Sequence, residues 1–445
     1  GASGADPNGY SSGSSYIIFG RSDFGRVVGS PGAAVTYELA NLDGSNGFRL
    51  DGEALDSSGS SVSTAGDING DGFDDVIVGA WGADPNGELS GSSYVVFGKA
   101  SGFNAAMNLS DLDGNNGFRL DGVSAYARLG LSVSNAGDVN GDGFDDVIVG
   151  AYGADPNNGE LSGSSYVVFG KASGFNATMN LSVLDGSNGF RLDGEAAGDM
   201  SGISVSNAGD VNGDGFDDVI VGAAGADPNG NSSGSSYVVF GKASGFSATM
   251  DLSSLDGSNG FRLDGEATDD FSGWSVSSAG DVNGDGFDDL IVGAFRAADP
   301  NDYGSGSSYV VFGKASGFSA TLDLSSFDGS NGFRLDGVAA RDHSGFSVSN
   351  AGDVNGDGFD DVIVGAPGAI PNGFGSGFSY VVFGKASGFS ATLELSSLDG
   401  SNGFRLDGVA TYNFSGRSVS VAGDVNGDGF DDFIVGAPGG LLNGS

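Results

Sequence analysis

Short apolar runs recur along the chain in a fixed order, and residues 132–194 show one complete set. SVSNAGDVNGDGFDDVIVGA is followed by GADPNNGELSGSSYVVFGKASGF, and then by a connection to DGSNGFRLDG. Each run is short, rich in Val, Ile, Phe and Tyr, and bounded by Gly, Asn or Asp, as a strand between tight turns would be. The predicted strands are Ser132 to Ala136, Asp146 to Gly150, Ser165 to Gly170 and Phe190 to Leu192. Glycine sits in the AGD, NGDG, VGA and FGK clusters between them. It would cost roughly 1 kcal/mol per residue in helix interiors, so long helices are excluded.

The set repeats. The Asp of AGD falls at Asp67, Asp138, Asp210, Asp281, Asp353 and Asp424, with separations of 71, 72, 71, 72 and 71 residues. Four antiparallel strands every ~70 residues match the blade of a β-propeller, whereas a β-helix uses shorter repeats. The expected fold is all-β, a six-bladed β-propeller of four-stranded antiparallel blades forming one domain over residues 1–445. Residues 1–20 align with 79–98, so the chain opens in the second half of a repeat, and it ends in the first half of one at GDGFDDFIVGAPGG. The N-terminal half-blade, 1–52, is expected to complete the C-terminal half-blade, 415–445. Strands near Tyr16 to Gly20 and Phe48 to Leu50 would join Ser418 to Ala422 and Phe433 to Gly436, removing two free sheet edges. Seven blades, or a segment of a longer array, are the alternatives. Starting in mid-repeat at Gly1, the chain reads as a processed or excised piece. At Arg21 to Ala40 an irregular segment replaces the usual KASGFNATMNLSSL, as a longer exterior connection or a plug.

Composition narrows the partners. With 38% hydrophobic residues the 445-residue chain is no disordered tract, and its 85 Gly and 9 Pro lack collagen periodicity. Lys and Arg number 17 against 58 Asp and Glu, a net charge of −41. Such a chain repels phosphate backbones and anionic bilayers, so no nucleic acid and no membrane insertion are expected. No apolar run approaches the ~20 residues of a membrane span. Without Cys there are no disulfides, leaving core packing and metals to stabilise the fold.

The carboxylates are clustered. Every copy contains D-x-N-G-D-G-F-D-D, the first being Asp67 to Asp75. Side chains at positions one, three, five and nine and the carbonyl of position seven can wrap a hard cation, and Gly at position six permits the sharp turn. The first loop thus offers Asp67, Asn69, Asp71, Phe73 (carbonyl) and Asp75. Val78 stands where a twelfth-position Glu would close an EF-hand loop, so position nine is expected to close the site instead. Ca²⁺ is favoured over Zn²⁺, because there are no thiols and His343 is the only imidazole. It is favoured over Mg²⁺ because a flexible loop of five protein oxygens does not suit a strict octahedron. Asp and Asn are also ordinary turn formers, but six loops in register weigh towards metal. The loops hold 24 of the 58 acidic residues, and six divalent ions would bring −41 to −29.

The strand ending in AGD, the loop DVNGDGFDD, the strand VIVGA and SSYVVFG together resemble the FG-GAP repeats of the N-terminal β-propeller of integrin α subunits, over essentially the whole chain. Integrin propellers have seven blades and calcium loops in only some. Six near-identical copies are more similar to repetitive FG-GAP proteins of bacterial cell surfaces, and there is no RGD. The resemblance implies about six bound Ca²⁺, one per repeat. Their ligands would continue as Asp138, Asn140, Asp142, Phe144 and Asp146, and as Asp210, Asn212, Asp214, Phe216 and Asp218. The remaining sets are Asp281, Asn283, Asp285, Phe287 and Asp289; Asp353, Asn355, Asp357, Phe359 and Asp361; and Asp424, Asn426, Asp428, Phe430 and Asp432. It further implies a secreted or cell-surface location, in a bacterium.

No catalytic constellation stands apart from the loops. His343, in the variable stretch ARDHSG, reads as a surface residue. The expected function is a non-enzymatic, calcium-stabilised extracellular propeller serving adhesion or structure. A lectin with sugar sites between blades and a Ca²⁺-dependent self-assembling surface or filament subunit are the alternatives, and a polysaccharide lyase or hydrolase is a weaker one. Differences among copies gather on the face opposite the loops, at Trp81, Tyr152, Ala224, Phe295 and Pro367 and at Tyr126, Met200, Phe271, His343 and Phe414. That face would take a protein or glycan ligand, or plug the blades' inner ends. The recurrent Arg of GFRLDG and Lys of FGKASGF are expected to pair with neighbouring Asp.

Overall fold

A computed structural model describes residues 1–20, 38–156, 159–297 and 304–439. Most of the irregular segment predicted at Arg21 to Ala40 therefore lies outside the described residues.

The repeat unit folds as its runs of Val, Ile and Tyr dictate. In the second complete blade, strands Val133–Gly137, Asp146–Ala151, Ser164–Val168 and Gly189–Asp193 pair antiparallel in that order. These bounds lie within two residues of those predicted. The other complete blades begin at Val62–Gly66, Ser204–Gly209, Ser275–Gly280 and Ser347–Gly352 and share the order. The middle strands are buried along their whole length, DVIVGA and SSYVV alike, which explains why they read as continuous apolar runs rather than alternations.

Four strands are not the whole blade. A three-residue strand from the following repeat, such as Thr178–Asn180, adds parallel to the outer strand of the blade before it, here Gly117–Asp121. The same addition occurs at Ala106–Asn108, Thr249–Asp251, Thr321–Asp323 and Thr392–Glu394. Phenylalanines fasten it. Phe246 stacks on Phe190 of the preceding blade at 4.7 Å between ring centroids and meets Phe169 edge-on at 5.3 Å.

The hydrophobic core lies between blades. Ala136, Val139, Ile148 and Val167 of one blade pack against Val205, Val219 and Val221 of the next, and this cluster recurs around the array. The innermost strands contact one another in sequence from Val62–Gly66 to Ser418–Gly423.

The two half-blades are Ser14–Ile18 with Gly47–Asp51, and Ser418–Gly423 with Asp432–Gly436. The pairing expected between them, Asp432–Gly436 on Ser14–Ile18, is not among the strand pairs of the described residues, where the two form separate sheets. Ala2 instead bridges Ser14 on that edge.

Candidate metal loops and the lock between blades

Each candidate loop joins the first strand of a blade to its second. A β-bulge precedes it, where the register shifts between Asn135 and Gly137 and the Gly of AGD takes φ 71°. Within the loop, Asp138 Oδ1 accepts from the Asp142 N–H at 3.0 Å and Oδ2 from the Gly143 N–H at 2.9 Å. Asp142 Oδ1 in turn accepts from the Phe144 N–H at 3.1 Å. Carboxylates at positions one and five therefore fold the loop on themselves.

Position nine turns inward. Asp146 is buried and accepts from the Gly170 N–H at 2.9 Å and the Val139 N–H at 3.1 Å. Burial, reinforced by the charges of Asp142 and Asp138, pushes its carboxyl up to about 8. Burial likewise raises Asp218 and Asp289 to about 8, and Asp75 and Asp361 to about 7. In the first loop Asn69 Nδ2 donates to Asp75 at 3.3 Å. Among the described residues, no three His, Asp or Glu side chains gather closely enough to hold a metal.

Position eight, which the sequence assigns to the loop together with position nine, works between blades. Asp145 Oδ2 accepts from the Asp67 N–H of the preceding loop at 2.7 Å. Asp217, Asp288, Asp360 and Asp431 do the same for Asp138, Asp210, Asp281 and Asp353 at 2.8–3.0 Å. Beside each carboxylate the position-seven ring covers the preceding loop. A Cβ on Gly141 would come within 2.3 Å of Phe216 Cε1, so position four requires Gly for space as well as for its φ of 71°. The Lys242 N–H completes the lock by donating to the Val139 carbonyl at 2.9 Å. Adjacent strand residues face opposite ways, so the DD pair itself was the signal that one Asp serves the loop and the other the neighbour.

The sequence profile of the FG-GAP repeat matches residues 58–96, 129–168, 201–239, 272–311, 344–382 and 415–445, together just over half of the chain. The chain belongs to the FG-GAP repeat family.

Integrin alpha-4 of Xenopus laevis is 32% identical over 177 residues, 40% of this chain and 15% of that protein. Integrin alpha-V of Gallus gallus is 32% identical over 213 residues, 45% of this chain and 18% of that protein. Phosphatidylinositol-glycan-specific phospholipase D of Dictyostelium discoideum is 26% identical over 399 residues, 84% of this chain and 38% of that protein. The chain thus spans well under half the length of these relatives. The fold is the FG-GAP β-propeller of the integrin α type, all-β with antiparallel blades.

The FG-GAP loops present a donor set that fits a hard divalent cation. Every donor is oxygen, three of the five are carboxylates, of which positions one and five add to the burial that raises position nine, and Asn355 Oδ1 at position three is buried without a hydrogen-bond partner. If bound, the ion would be held by positions one, three, five and nine and the position-seven carbonyl.

The basic residues divide in two. Every GFRLDG arginine pairs with the Asp two residues on, Arg119 with Asp121 at 2.6 Å among them, and Arg262 and Arg334 also reach Glu195 and Glu266 of the preceding repeat at 3.0 and 2.9 Å. The lysines do otherwise than expected. Lys99, Lys171, Lys242, Lys314 and Lys385 place Nζ 4.7–4.8 Å above the ring of the Phe four residues on. The intervening ASG turn brings that ring under the ammonium, a cation–π contact.

On the variable face, Phe295 lies 4.9 Å from Trp274, 5.6 Å from Phe346 and 5.8 Å from His343 between ring centroids. Arg296 stands 5.0 Å over Phe271. Burial, then the charges of Arg296 and Arg341, lowers the His343 pKa. Tyr152 meets Arg128 instead, and Ala224 is fully buried. Met200, Phe271, His343 and Phe414 all take φ between 52° and 56°, a left-handed backbone that is uncommon for such side chains.

Among the described residues, no helix is long and apolar enough to cross a membrane.

Proposed function

We propose that this chain is a non-enzymatic, calcium-binding propeller that works outside the cell as an adhesion or structural module, with one Ca²⁺ closing each blade's inner hairpin. The observation that carries the reading is sixfold: D-x-N-G-D-G-F-D-D stands between the first and second strands of six successive blade units. The resemblance to integrin α chains supports the extracellular setting. The cation offsets the negative charge of the clustered carboxylates and the burial of position nine, and by binding only the folded loop it stabilises the fold.

Calorimetric titration of chelator-stripped protein with Ca²⁺, with a thermal melt at each end, tests this. Close to six ions with a large rise in melting temperature is expected. Few ions, or an unchanged melt, would leave the Asp clusters as turns and sink the reading. For the adhesive role, the cluster of mutually tilted rings around Phe295, with Arg296 beside it, offers a protein or glycan ligand an aromatic surface. Phe295→Ala should reduce binding to any matrix protein or glycan that the intact chain retains, measured at a temperature where circular dichroism shows the variant still folded.

A further inference from the structure

One blade breaks the pattern of the variable face. Two residues after the second strand the other complete blades carry Gly82, Gly153, Gly225 and Gly368, whereas the blade beginning at Ser275 carries Arg296. The glycine serves space. A Cβ at Gly153, Gly225 or Gly368 would lie 2.0–2.2 Å from the carbonyl oxygen of Tyr126, Gly198 or Arg341. The loop yields to Arg296 instead: its N–H reaches the Asp270 carbonyl at 3.4 Å, where the four glycines make the corresponding bond at 3.0–3.2 Å. Packing in the loop is thus given up for a side chain that is exposed.

That side chain rests on rings. The Arg296 guanidinium lies 5.0 Å over Phe271 and 5.7 Å over Phe295, and farther along the same cluster Arg417 lies 5.1 Å over Phe346. A guanidinium stacked on a ring keeps its N–H edge for a carboxylate. Every GFRLDG arginine has such a partner, whereas among the described residues neither Arg296 nor Arg417 is in an ion pair. The carboxylates next to Phe271 and His343 in the chain are engaged elsewhere. Asp270 accepts the Ala267 N–H, Asp342 the Ala339 N–H and Asp269 the Asn231 amide. Burial, then the charges of Arg296 and Arg341, favours the neutral form of His343, so the imidazole adds a hydrogen-bonding edge. On a chain of net charge −41 this is a positive, ring-lined island.

We infer that the island binds the carboxylate of an acidic sugar, a hexuronate within a glycan, with Arg296 taking the carboxylate and the rings of Phe295 and Trp274 taking the C–H face of the sugar. The inference rests on the adhesive reading above and names its ligand. A hexuronate carries its carboxylate directly on the sugar ring, so one rigid residue meets a guanidinium edge and a neighbouring aromatic ring together. Phe295 lies 4.9 Å from Trp274, beside the stacked guanidinium. An acidic peptide would have to order a flexible backbone to make the same two contacts. The charge of the whole molecule repels a densely sulfated polymer at long range, and so favours a glycan in which uronates alternate with neutral sugars.

Trp81 and Trp274 are the only tryptophans, so in a Trp81→Phe background the emission of Trp274 reports on the island. The probe is an oligosaccharide alternating glucuronate with N-acetylglucosamine. A saturable change in emission is expected, with binding about ten-fold or more weaker after Arg296→Gln, or after reduction of the probe's carboxylates to alcohols. Arg296→Gly restores the residue of the other repeats and should lose binding equally while circular dichroism stays unchanged. No change in emission, equal affinity for the reduced probe, or stronger binding of an aspartate-rich peptide or a densely sulfated oligosaccharide overturns the inference. Retention of a matrix protein or neutral glycan that depends on Phe295 but not on Arg296 sinks it and leaves the adhesive reading standing, whereas a chain that retains nothing loses both.

Discussion

At the scale of single residues, the lock between blades makes the sharpest predictions. Asp217→Ala leaves the Asp138 N–H without its charged acceptor and should cost about 1–3 kcal/mol. The same change at Asp74, which accepts no loop N–H among the described residues, should cost close to nothing. Urea midpoints of the two variants check the contrast. Gly141→Ala meets both a φ of 71° and the Phe216 ring, whereas Gly143→Ala meets only a φ of 88° with open space around it. The first should therefore destabilise by more than the ~1 kcal/mol typical of strained backbone alone. Asp199 and Asp270, each accepting a backbone N–H, are raised to about 6 chiefly by burial. Between pH 4 and 6 the folded chain keeps protons there that the unfolded chain has released, so their contribution falls as pH rises through that window. In chelator, the D199N/D270N double variant should flatten the fall in urea midpoint from pH 4.5 to 6.5.

Elements were legible in proportion to how local their causes are. VIVGA and SSYVVFG announce themselves because their partners lie one turn away in the same repeat and both faces are buried. TMN at Thr178–Asn180 does not, because three residues carry no period and their partner, Gly117–Asp121, belongs to the repeat before. The DxNxDG loops were readable as chemistry, yet the split of labour between Asp145 and Asp146 follows from strand geometry that a motif does not state. The lysines misled for a related reason: net charge pointed to Asp, while the ASG turn brought a Phe ring beneath the ammonium. Phe246→Ala should accordingly loosen the blade before its own repeat, seen as lost hydrogen-exchange protection in Gly189–Asp193 before any loss in Gly260–Asp264.

For the whole molecule, the charge of −41 sets its response to the solvent. Metal-free protein should melt at a higher temperature in 0.5 M NaCl than in 0.05 M, because salt screens the exposed loop carboxylates. Saturating Ca²⁺ should shrink that salt dependence, and parallel melts in the four conditions check it. Blade count and architecture were legible from the period of 71–72 residues. Whether the half-blades meet was not, because their sequence complementarity is the same whichever copy supplies the partner strand.

The clasp of each repeat on its predecessor means that the structural unit straddles the sequence period and has no privileged boundary. A tandem duplication of one period, begun at any codon, recreates every strand pair, every Asp-to-loop bond and every Phe stack at both junctions. A gene for such an array can lengthen or shorten by unequal exchange without a misfolded intermediate, which is a route by which near-identical copies stay near-identical.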